Sequence, residues 1–303
     1  MLLQLARTPA KAAQLAAQEV IPVRGSIQQP EKYLELLKTK HIDVVVDVSG
    51  AMADATVLLK QMVDAGKERL SRYEEFGVPN GAKLGFVYVS GMWVHGSDKS
   101  DLVNDGDPFT GTEARNKPLG MVSWRPEVER SVLSKETTAY LDTAIVRSAL
   151  TYGRDHAIWT GFFMEVLKGV KDGASKVSIP LDPEAVVALA HSDDAASGIG
   201  AVVERVGTLA GTGIYPVFDM CSSIEGLRAI FEGFGRALGF KGTVELVGVK
   251  EGDYLGDALS ASTVGDSGRA KALLGWSPKR MSMLQGIDVY ANAWKAAFEK
   301  GGK

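Results

Sequence analysis

Short apolar runs rich in β-branched residues alternate with helical patterns through the first third of this 303-residue sequence, and this alternation constrains the fold more than any other feature. Continuous apolar strands that are separated by helices are typical of a parallel sheet buried on both faces. The sequence therefore predicts an α/β fold built on a doubly wound parallel sheet. The expected strands are residues 2–6, 19–23, 41–48 and 83–90, and the expected helices between them are residues 9–18, 30–38 and 52–76.

Beyond residue 90 the alternation is less regular. Residues 91–120 are polar and rich in Gly, Asp and Asn, which predicts a long loop, and the segment after Ser267 reads as helical and aromatic. We expect a core that comprises residues 1–155, followed by residues 156–303, which hold the remainder of the core and a smaller C-terminal lobe. Further strands are expected at residues 141–150, 177–180 and 215–220, and further helices at residues 127–135, 158–169, 195–209 and 224–238.

Composition and charge exclude several functional classes. The 34 Lys and Arg residues are balanced by 37 Asp and Glu residues and are interspersed with them, so the sequence lacks the basic surface of a nucleic-acid-binding protein. Cys221 is the only cysteine and the 4 histidines are scattered, so the sequence predicts neither a disulfide nor a metal site. There is no apolar run of about 18 residues and no signal peptide, which favours a cytoplasmic protein without a membrane span.

Four segments, taken in order, carry a resemblance to a known family. They are residues 86–91 with 94–96, residues 146–147 with 150–153, residues 190–194, and residues 266–271 with 274–278. Their order resembles the extended short-chain dehydrogenase/reductase superfamily, and within it the NAD-dependent epimerase/dehydratase group. The resemblance covers nearly the whole chain. It implies a Rossmann-like NAD(P)-binding core in residues 1–155 and a C-terminal substrate lobe within residues 156–303. It also implies oxidoreductase, epimerase or dehydratase chemistry on a small carbonyl or hydroxyl compound.

The first strand-helix unit of that family's fold has no counterpart in this sequence. Met1 opens directly on the strand at residues 2–6, which resembles the family's second strand, and no glycine-rich strand-to-helix turn precedes it. That turn supplies the amides and the helix N-terminus that bind the cofactor's pyrophosphate, so its loss should lower cofactor affinity by orders of magnitude. One alternative is a misassigned start, in which case an in-frame extension of roughly 20 to 30 residues upstream of Met1, enough for one strand, turn and helix, carries the missing unit.

Polar and small residues at the ends of three expected strands are the candidate cofactor-binding residues. Arg7 stands where an acidic residue would bind the ribose 2′-hydroxyl of NAD. An arginine there can instead pair with the 2′-phosphate of NADP, so NADP is favoured over NAD. The serine after the second strand keeps a hydrogen-bonding group near the adenine, and small residues after the third strand let the backbone approach a ribose. The candidates are Arg7, Gly25, Ser26, Ser49, Gly50, Ala51 and, from the catalytic segment, Arg125.

The catalytic residues that the resemblance implies are only partly present. Ser90 matches the serine that hydrogen-bonds the substrate oxygen. When the sequence is aligned on Glu129, the family's proton-exchanging tyrosine corresponds to Met121, and its lysine, four positions later, corresponds to Arg125. Methionine cannot donate a proton, whereas arginine can hold a ribose or a phosphate. Pro126 favours a helix that begins near Arg125 rather than one that runs through Met121.

These departures from the family leave the activity open. Tyr152, at a strand end, is the better of the remaining tyrosines as a substitute proton donor, so the candidate catalytic residues are Ser90, Arg125 and Tyr152. The leading hypothesis is an NAD(P)-binding enzyme with a degenerate catalytic motif. The alternatives are a catalytically silent NAD(P)-binding regulatory protein and a truncated gene product. A homodimer is a further expectation, because the family pairs two long helices per subunit, here residues 52–76 and the shorter 127–135.

Overall fold

The computed structural model describes residues 1–104, 116–154 and 156–301. The chain separates into two compact units, each built from three stretches of sequence. The first unit comprises Met1–Val89, Glu127–Ile145 and Val203–Pro216, and the second comprises Ser90–Pro126, Val146–Val202 and Val217–Lys303. The functional division near residue 155 stays a prediction, because compact units need not coincide with functional ones.

The first unit opens with the alternation of strands and helices that the sequence predicts. Its elements in chain order are β1 (Leu3–Ala6), α1 (Pro9–Ala17), β2 (Ile21–Arg24), α2 (Glu31–Thr39), β3 (Val44–Asp47), α3 (Met52–Glu75) and β4 (Leu84–Gly91), whose last two residues belong to the second unit. The start of α1 follows from local chemistry. The Thr8 side chain accepts a hydrogen bond from the Lys11 amide, and Pro9 provides a backbone angle that suits the first helical turn.

The strands of the first unit pair in parallel. Leu3 of β1 lies opposite Ile21 of β2, and Val44 of β3 lies opposite Gly85 of β4. However, β1 and β2 form a sheet of their own, and β3 is the last strand in its sheet. Within the described residues, therefore, no strand connects β1 with β3.

The remaining elements continue the mixed α/β pattern. In chain order they are β5 (Asp98–Asn104), α4 (Arg125–Val132), α5 (Lys135–Thr138), β6 (Leu141–Ser148), β7 (Leu150–Gly153), β8 (His156–Ala157), α6 (Thr160–Asp172), β9 (Lys176–Ile179), β10 (Val186–His191), α7 (Ser192–Val203), α8 (Val206–Leu209), β11 (Val217–Met220), β12 (Ser223–Gly226), α9 (Leu227–Ala237), β13 (Thr243–Leu246), α10 (Tyr254–Leu259), β14 (Thr263–Asp266), α11 (Gly268–Leu274) and α12 (Ile287–Gly301). A four-stranded sheet of the second unit has the order β12-β10-β7-β8, in which β10 is parallel to β7 and antiparallel to β12. Parallel pairs also join β9 with β13 and β5 with β14.

Aromatic side chains from α6, α9 and α12 form a hydrophobic core in the second unit. The rings of Phe163 and Phe234 stack with their centroids 3.6 Å apart, and Trp294 meets both rings edge-on. Trp159, which precedes α6, is also fully buried there and donates its indole N–H to the Leu259 carbonyl at 3.3 Å. Buried aromatic rings of this size dominate core energetics, so this cluster holds the three helices together.

Several expected elements are corrected by the structure. Part of the expected loop at residues 91–120 is β5, and residues 105–115 of that stretch lie outside the described residues. The strand β10 was not expected, and the expected strand at residues 141–150 is divided into β6 and β7. The first residues of the expected helix at 224–238 form β12 instead. The polar sequence of β5 becomes a strand because β14 pairs with it, and such tertiary pairing overrides local preference.

The described residues confirm the predicted fold class, since parallel strands alternate with helices in both units. In this same part of the chain, no helix combines the length and the apolar character that crossing a membrane requires.

Candidate functional site

A cleft of about 350 Å³ in the first unit collects residues from the carboxyl ends of three strands. Arg7 follows β1, Ser26 follows β2 and Ser49 follows β3, and all three residues line the cleft. The structure thus brings together three of the predicted cofactor-binding residues. In doubly wound sheets ligands bind at the carboxyl ends of strands, and this volume suits a small-molecule site. The predicted residues that adjoin these in sequence without lining the cleft are Gly25, Gly50 and Ala51.

Asp47 is the cleft residue that the sequence reasoning missed. It is the last residue of β3, its exposed fraction is 1%, and its Oδ1 accepts a hydrogen bond from the Ser49 amide at 2.8 Å. Among the described residues, neither Asp47 Oδ2 nor Ser49 Oγ has a hydrogen-bond partner, although both atoms are buried. A buried polar atom without a partner is costly, so these two atoms point to a polar ligand at this end of the cleft. The available sequence signal was one acid in the run Val44-Val45-Val46-Asp47-Val48.

Arg7, at the rim of the cleft, forms an ion pair with Asp54. Its Nη2 donates to Asp54 Oδ2 at 2.8 Å, and Gln28 Nε2 donates to Asp54 Oδ1 at 3.1 Å. Asp54 lies in the first turn of α3, where a carboxylate is favoured by the helix dipole. Since the Arg7 side chain is 67% exposed, the ion pair is well screened and can open at little cost. A phosphate that bound Arg7 would have to displace this carboxylate.

Ser90 lies near the end of β4 and belongs to the second unit. Its exposed fraction is 5%, and its Oγ is buried without a hydrogen-bond partner among the described residues. Strand β4 is otherwise almost wholly apolar and buried, so its backbone holds this hydroxyl firmly in place. A substrate oxygen is the kind of acceptor that such a hydroxyl requires.

Arg125 lines a second, smaller cavity of about 110 Å³ together with Met92, Ser148 and Thr263 in the second unit. The volume admits only a small chemical group. Thr263 Oγ1 is buried, and no hydrogen-bond partner for it occurs in the described part of the chain. The Arg125 guanidinium lies over the Trp124 ring, 5.0 Å from its centroid, which orients the cation.

Met121 lies outside the helix that carries Arg125. It is 46% exposed and belongs to the short 3-10 turn Gly120–Val122, whereas α4 begins at Arg125, as Pro126 predicts. Positions 121 and 125 therefore do not face each other across one helical turn, which is the arrangement that an i,i+4 pair needs.

Tyr152 is placed by the structure in a packed environment. Its hydroxyl donates to the Met281 carbonyl at 2.8 Å, and its ring meets those of His191 and Tyr290 edge-on. Burial, together with the nearby Tyr290 and Glu225, raises the pKa of Tyr152 well above its usual range. A hydroxyl with these properties donates a structural hydrogen bond and is a poor acid at neutral pH.

The sequence also contains no indication that three buried polar residues of the second unit, His95, Arg147 and Asp219, form a cluster. His95 Nε2 lies 2.7 Å from Asp219 Oδ2, and an Arg147 nitrogen lies 3.9 Å from Asp219 Oδ1. The short contact is a hydrogen bond between the His95 ring and the Asp219 carboxyl group. The three residues are far apart in sequence, and no local pattern links them.

Comparison with known proteins identifies the fold. No family model matches the chain, and no curated protein sequence matches it. Solved structures do match. A dTDP-glucose 4,6-dehydratase from Bacillus anthracis in complex with NAD has a TM-score of 0.66 and 17% identity, over 98% of this chain and 88% of that one. A UDP-glucose 4-epimerase from Bifidobacterium longum in complex with NAD+ and UDP gives 0.62 and 15%, over 99% and 92%.

A further match, RMD from Pseudomonas aeruginosa complexed with NADPH, has a TM-score of 0.60 and 15% identity, over 97% of both chains. At these identities the similarity establishes the fold. The chain shares the Rossmann-like fold of these solved structures, which is the fold that the resemblance to the extended short-chain dehydrogenase/reductase superfamily implies.

Proposed function

We propose that this protein is a divergent member of that superfamily. It binds a nicotinamide dinucleotide and acts as an oxidoreductase, epimerase or dehydratase on a small carbonyl or hydroxyl compound. The observation that carries the proposal is the cleft of the first unit, which Arg7, Ser26 and Ser49 line together with Asp47, whose buried Oδ2 has no hydrogen-bond partner among the described residues. The similar structures bound to NAD or NADPH support the choice of ligand.

The cleft residues fit the adenosine end of such a cofactor. Asp47 and Ser49 would hold ribose hydroxyl groups, because both have buried atoms in need of a partner. Ser26 would meet the adenine. Arg7 would pair with the 2′-phosphate of NADP, once released from Asp54, so we propose NADP over NAD.

The reacting groups of this chain would come from the second unit. When bound, a nicotinamide ring supplies hydride chemistry. Ser90 would donate its hydroxyl hydrogen to the substrate oxygen, and Arg125 would hold a ribose or a small anionic group beside its cavity. Tyr152 is the weakest of the proposed catalytic residues, because its hydroxyl is already bonded to the Met281 carbonyl.

A second candidate function is cofactor binding without turnover. The specific observation in its favour is Met121, which cannot donate a proton and which lies outside α4, apart from Arg125. On this reading the protein senses or stores nicotinamide nucleotide. Both candidates share the cleft of the first unit and differ only in whether the second unit performs chemistry.

Calorimetric titration of the purified protein with NADPH and with NADH tests the proposal. Saturable binding, tighter for NADPH, is the expected result. The absence of any heat of binding at millimolar nucleotide would overturn the proposal.

Reduction of a panel of sugar nucleotides and small carbonyl compounds then separates the two candidate functions. Turnover that Ser90→Ala abolishes while nucleotide affinity stays unchanged supports the enzyme, whereas binding without turnover on the whole panel supports the silent protein.

We also propose that the protein forms a homodimer through the long helix α3 and works in the cytoplasm. The lone, buried Cys221 suits a reducing compartment. Sedimentation velocity over a hundredfold range of concentration tests the dimer, which predicts one species of about twice the 32.3 kDa chain mass. A single species at the chain mass contradicts it.

A further inference from the structure

The cavity beside Arg125 in the second unit is too small for a whole nucleotide. Its volume is about 110 Å³, whereas sites that enclose a whole small-molecule ligand usually measure roughly 300–1,000 Å³. The cavity therefore takes one chemical group of a ligand. Most of its walls are apolar and are formed by Met92, Trp93, Val122, Leu150, Ala188 and Ala261.

Two hydroxyl groups line the cavity, and they differ in whether their protons are already used. Ser148 Oγ donates to the Ala149 carbonyl at 3.0 Å. Thr263 Oγ1 is buried and forms no hydrogen bond with any described residue. A buried hydroxyl without a partner is costly, so Thr263 requires an acceptor from a ligand at this position.

Close packing holds the Thr263 side of the cavity in place. The pairing of β14 with β5 is irregular at this point, since Thr263 lies opposite Asp98 while Val264 lies opposite Leu102. Such irregularities re-aim side chains and are common next to active sites. Met92 packs directly on β14, because a Cβ at Gly265 would overlap Met92 Cε. Thr263 and the Met92 wall are therefore fixed relative to each other.

The charge of the lining is positive. Arg125 brings a permanent cation, and among the described residues no Asp or Glu lines the cavity. A guanidinium has five N–H donors in a planar fork, so a contact elsewhere still leaves donors for a ligand. The fork matches the two oxygens of a carboxylate. A group that suits this cavity is therefore small, negatively charged and rich in acceptors.

We infer that the substrate carries a carboxylate group, which enters this cavity and accepts hydrogen bonds from Arg125 and from the Thr263 hydroxyl. The inference rests on the proposed function, because it names the substrate class of that same site as small oxo acids or hydroxy acids. A phosphate group has the same sign of charge but three terminal oxygens. With two donor side chains and apolar walls, one of those oxygens would be buried without a partner.

Pyruvate is the probe, and its binding to the full-length protein is followed by ligand-observed NMR titration without nucleotide. Saturable binding is expected. The matched control is pyruvamide, which has the same shape without the charge and should bind at least about tenfold more weakly. Equal affinity for the two compounds, or no binding of either, would overturn the inference. Tighter binding of methyl phosphate than of pyruvate would assign the cavity to phosphate and is also contrary to it.

Variants of the two donors locate the binding site. Arg125→Gln and Thr263→Val should each weaken pyruvate binding at least about tenfold, because each removes a hydrogen bond to a charged group. Two control variants should leave the affinity nearly unchanged. Ser148→Ala removes a hydroxyl whose proton is already used, and Arg228→Gln removes an exposed arginine that pairs with Glu184 outside the cavity. Equal losses in Arg125→Gln and Arg228→Gln would indicate unspecific attraction and refute the site.

The stability of Thr263→Val separates a binding role of the hydroxyl from a structural one. Valine has nearly the shape of threonine, and the hydroxyl has no partner among the described residues, so the free energy of unfolding should not fall. Urea unfolding measures this quantity. A fall would show that the hydroxyl bonds within the protein, which contradicts its proposed role toward a ligand.

Failure of this inference can be told apart from failure of the proposed function. Calorimetry with NADPH tests the cleft of the first unit, whereas pyruvate binding tests only the cavity of the second unit. Nucleotide binding together with equal affinities for pyruvate and pyruvamide would refute the carboxylate site alone. Selective pyruvate binding without nucleotide binding would refute the cofactor proposal and support the carboxylate site.

Discussion

At the scale of single residues, the burial and hydrogen bonding of Asp47 determine what this carboxylate can bind. In the sequence it is one acid among valines, with no motif around it. In the structure it is a buried carboxylate at the end of β3 with one oxygen that has no partner among the described residues. Substitution of Asp47 is therefore the most direct test of the proposed cofactor site.

Asp47→Asn should weaken NADPH binding by about 10- to 150-fold, because a hydrogen bond to a charged group contributes roughly 1.5–3 kcal/mol. The free energy of unfolding should not fall, since the substitution removes a buried negative charge. Calorimetry and urea unfolding measure the two quantities. The matched control is Asp43→Asn at an exposed position, which should leave affinity unchanged. Equal affinity in Asp47→Asn and wild type would remove Asp47 from the site.

Arg7 and Asp54 should set the preference between the two nucleotides. Arg7→Ala should abolish any preference for NADPH over NADH, because the 2′-phosphate loses its cationic partner. Asp54→Asn should do the opposite and strengthen NADPH binding, since it removes the carboxylate that pairs with Arg7 at 2.8 Å. Lys11→Ala is the control for a general loss of positive charge. A preference that survives Arg7→Ala would show that another group reads the phosphate.

Cys221 should be inert in the folded protein. Burial raises the pKa of its thiol to about 11, so at pH 8 only roughly one thiol in a thousand is ionised. The thiolate is the reactive form, so reaction with iodoacetamide should be slow in buffer and fast in urea. Mass spectrometry of timed samples measures both rates. Similar rates in the two solvents would show that the thiol is exposed.

At the scale of elements, the residue at which α4 begins affects the proposed chemistry more than the identities of the side chains at positions 121 and 125. Because α4 begins at Arg125, residue 121 lies in a separate 3-10 turn. The double variant Met121→Tyr with Arg125→Lys should therefore gain less than about tenfold in any cofactor-dependent reduction rate, despite restoring the family's residue types. Steady-state assays with NADPH measure this rate. A larger gain would mean that the two positions do meet, contrary to the placement of α4.

The elements also show where sequence patterns succeed. The helix expected at residues 52–76 is found at Met52–Glu75, and the strand expected at 83–90 is found at Leu84–Gly91. Both depend on local apolar periodicity, which is written in consecutive residues. The polar strand β5 was missed because its pairing with β14 joins residues about 160 positions apart, and no local pattern records it.

At the scale of the whole molecule, stability should depend on the aromatic core of the second unit. Phe163→Ala should lower the free energy of unfolding by about 3–5 kcal/mol, because the ring is fully buried against Phe234 and leaves a cavity. Phe298→Ala is the matched control. Its ring stacks on Trp294 yet is 39% exposed, so the loss should be much smaller. Urea unfolding measures both, and equal losses would place the core elsewhere.

The sequence by itself determined the alternation of strands and helices, the resemblance to the superfamily, and the strand ends at Arg7, Ser26 and Ser49. These are properties of short stretches, and hydrophobic periodicity and turn chemistry encode them locally. Only the tertiary structure decided that these three residues share a cleft with Asp47, that Arg7 pairs with Asp54, and that no strand of the described residues joins β1 with β3. Those facts depend on which strands become neighbours, and that choice is made by packing and pairing across the chain.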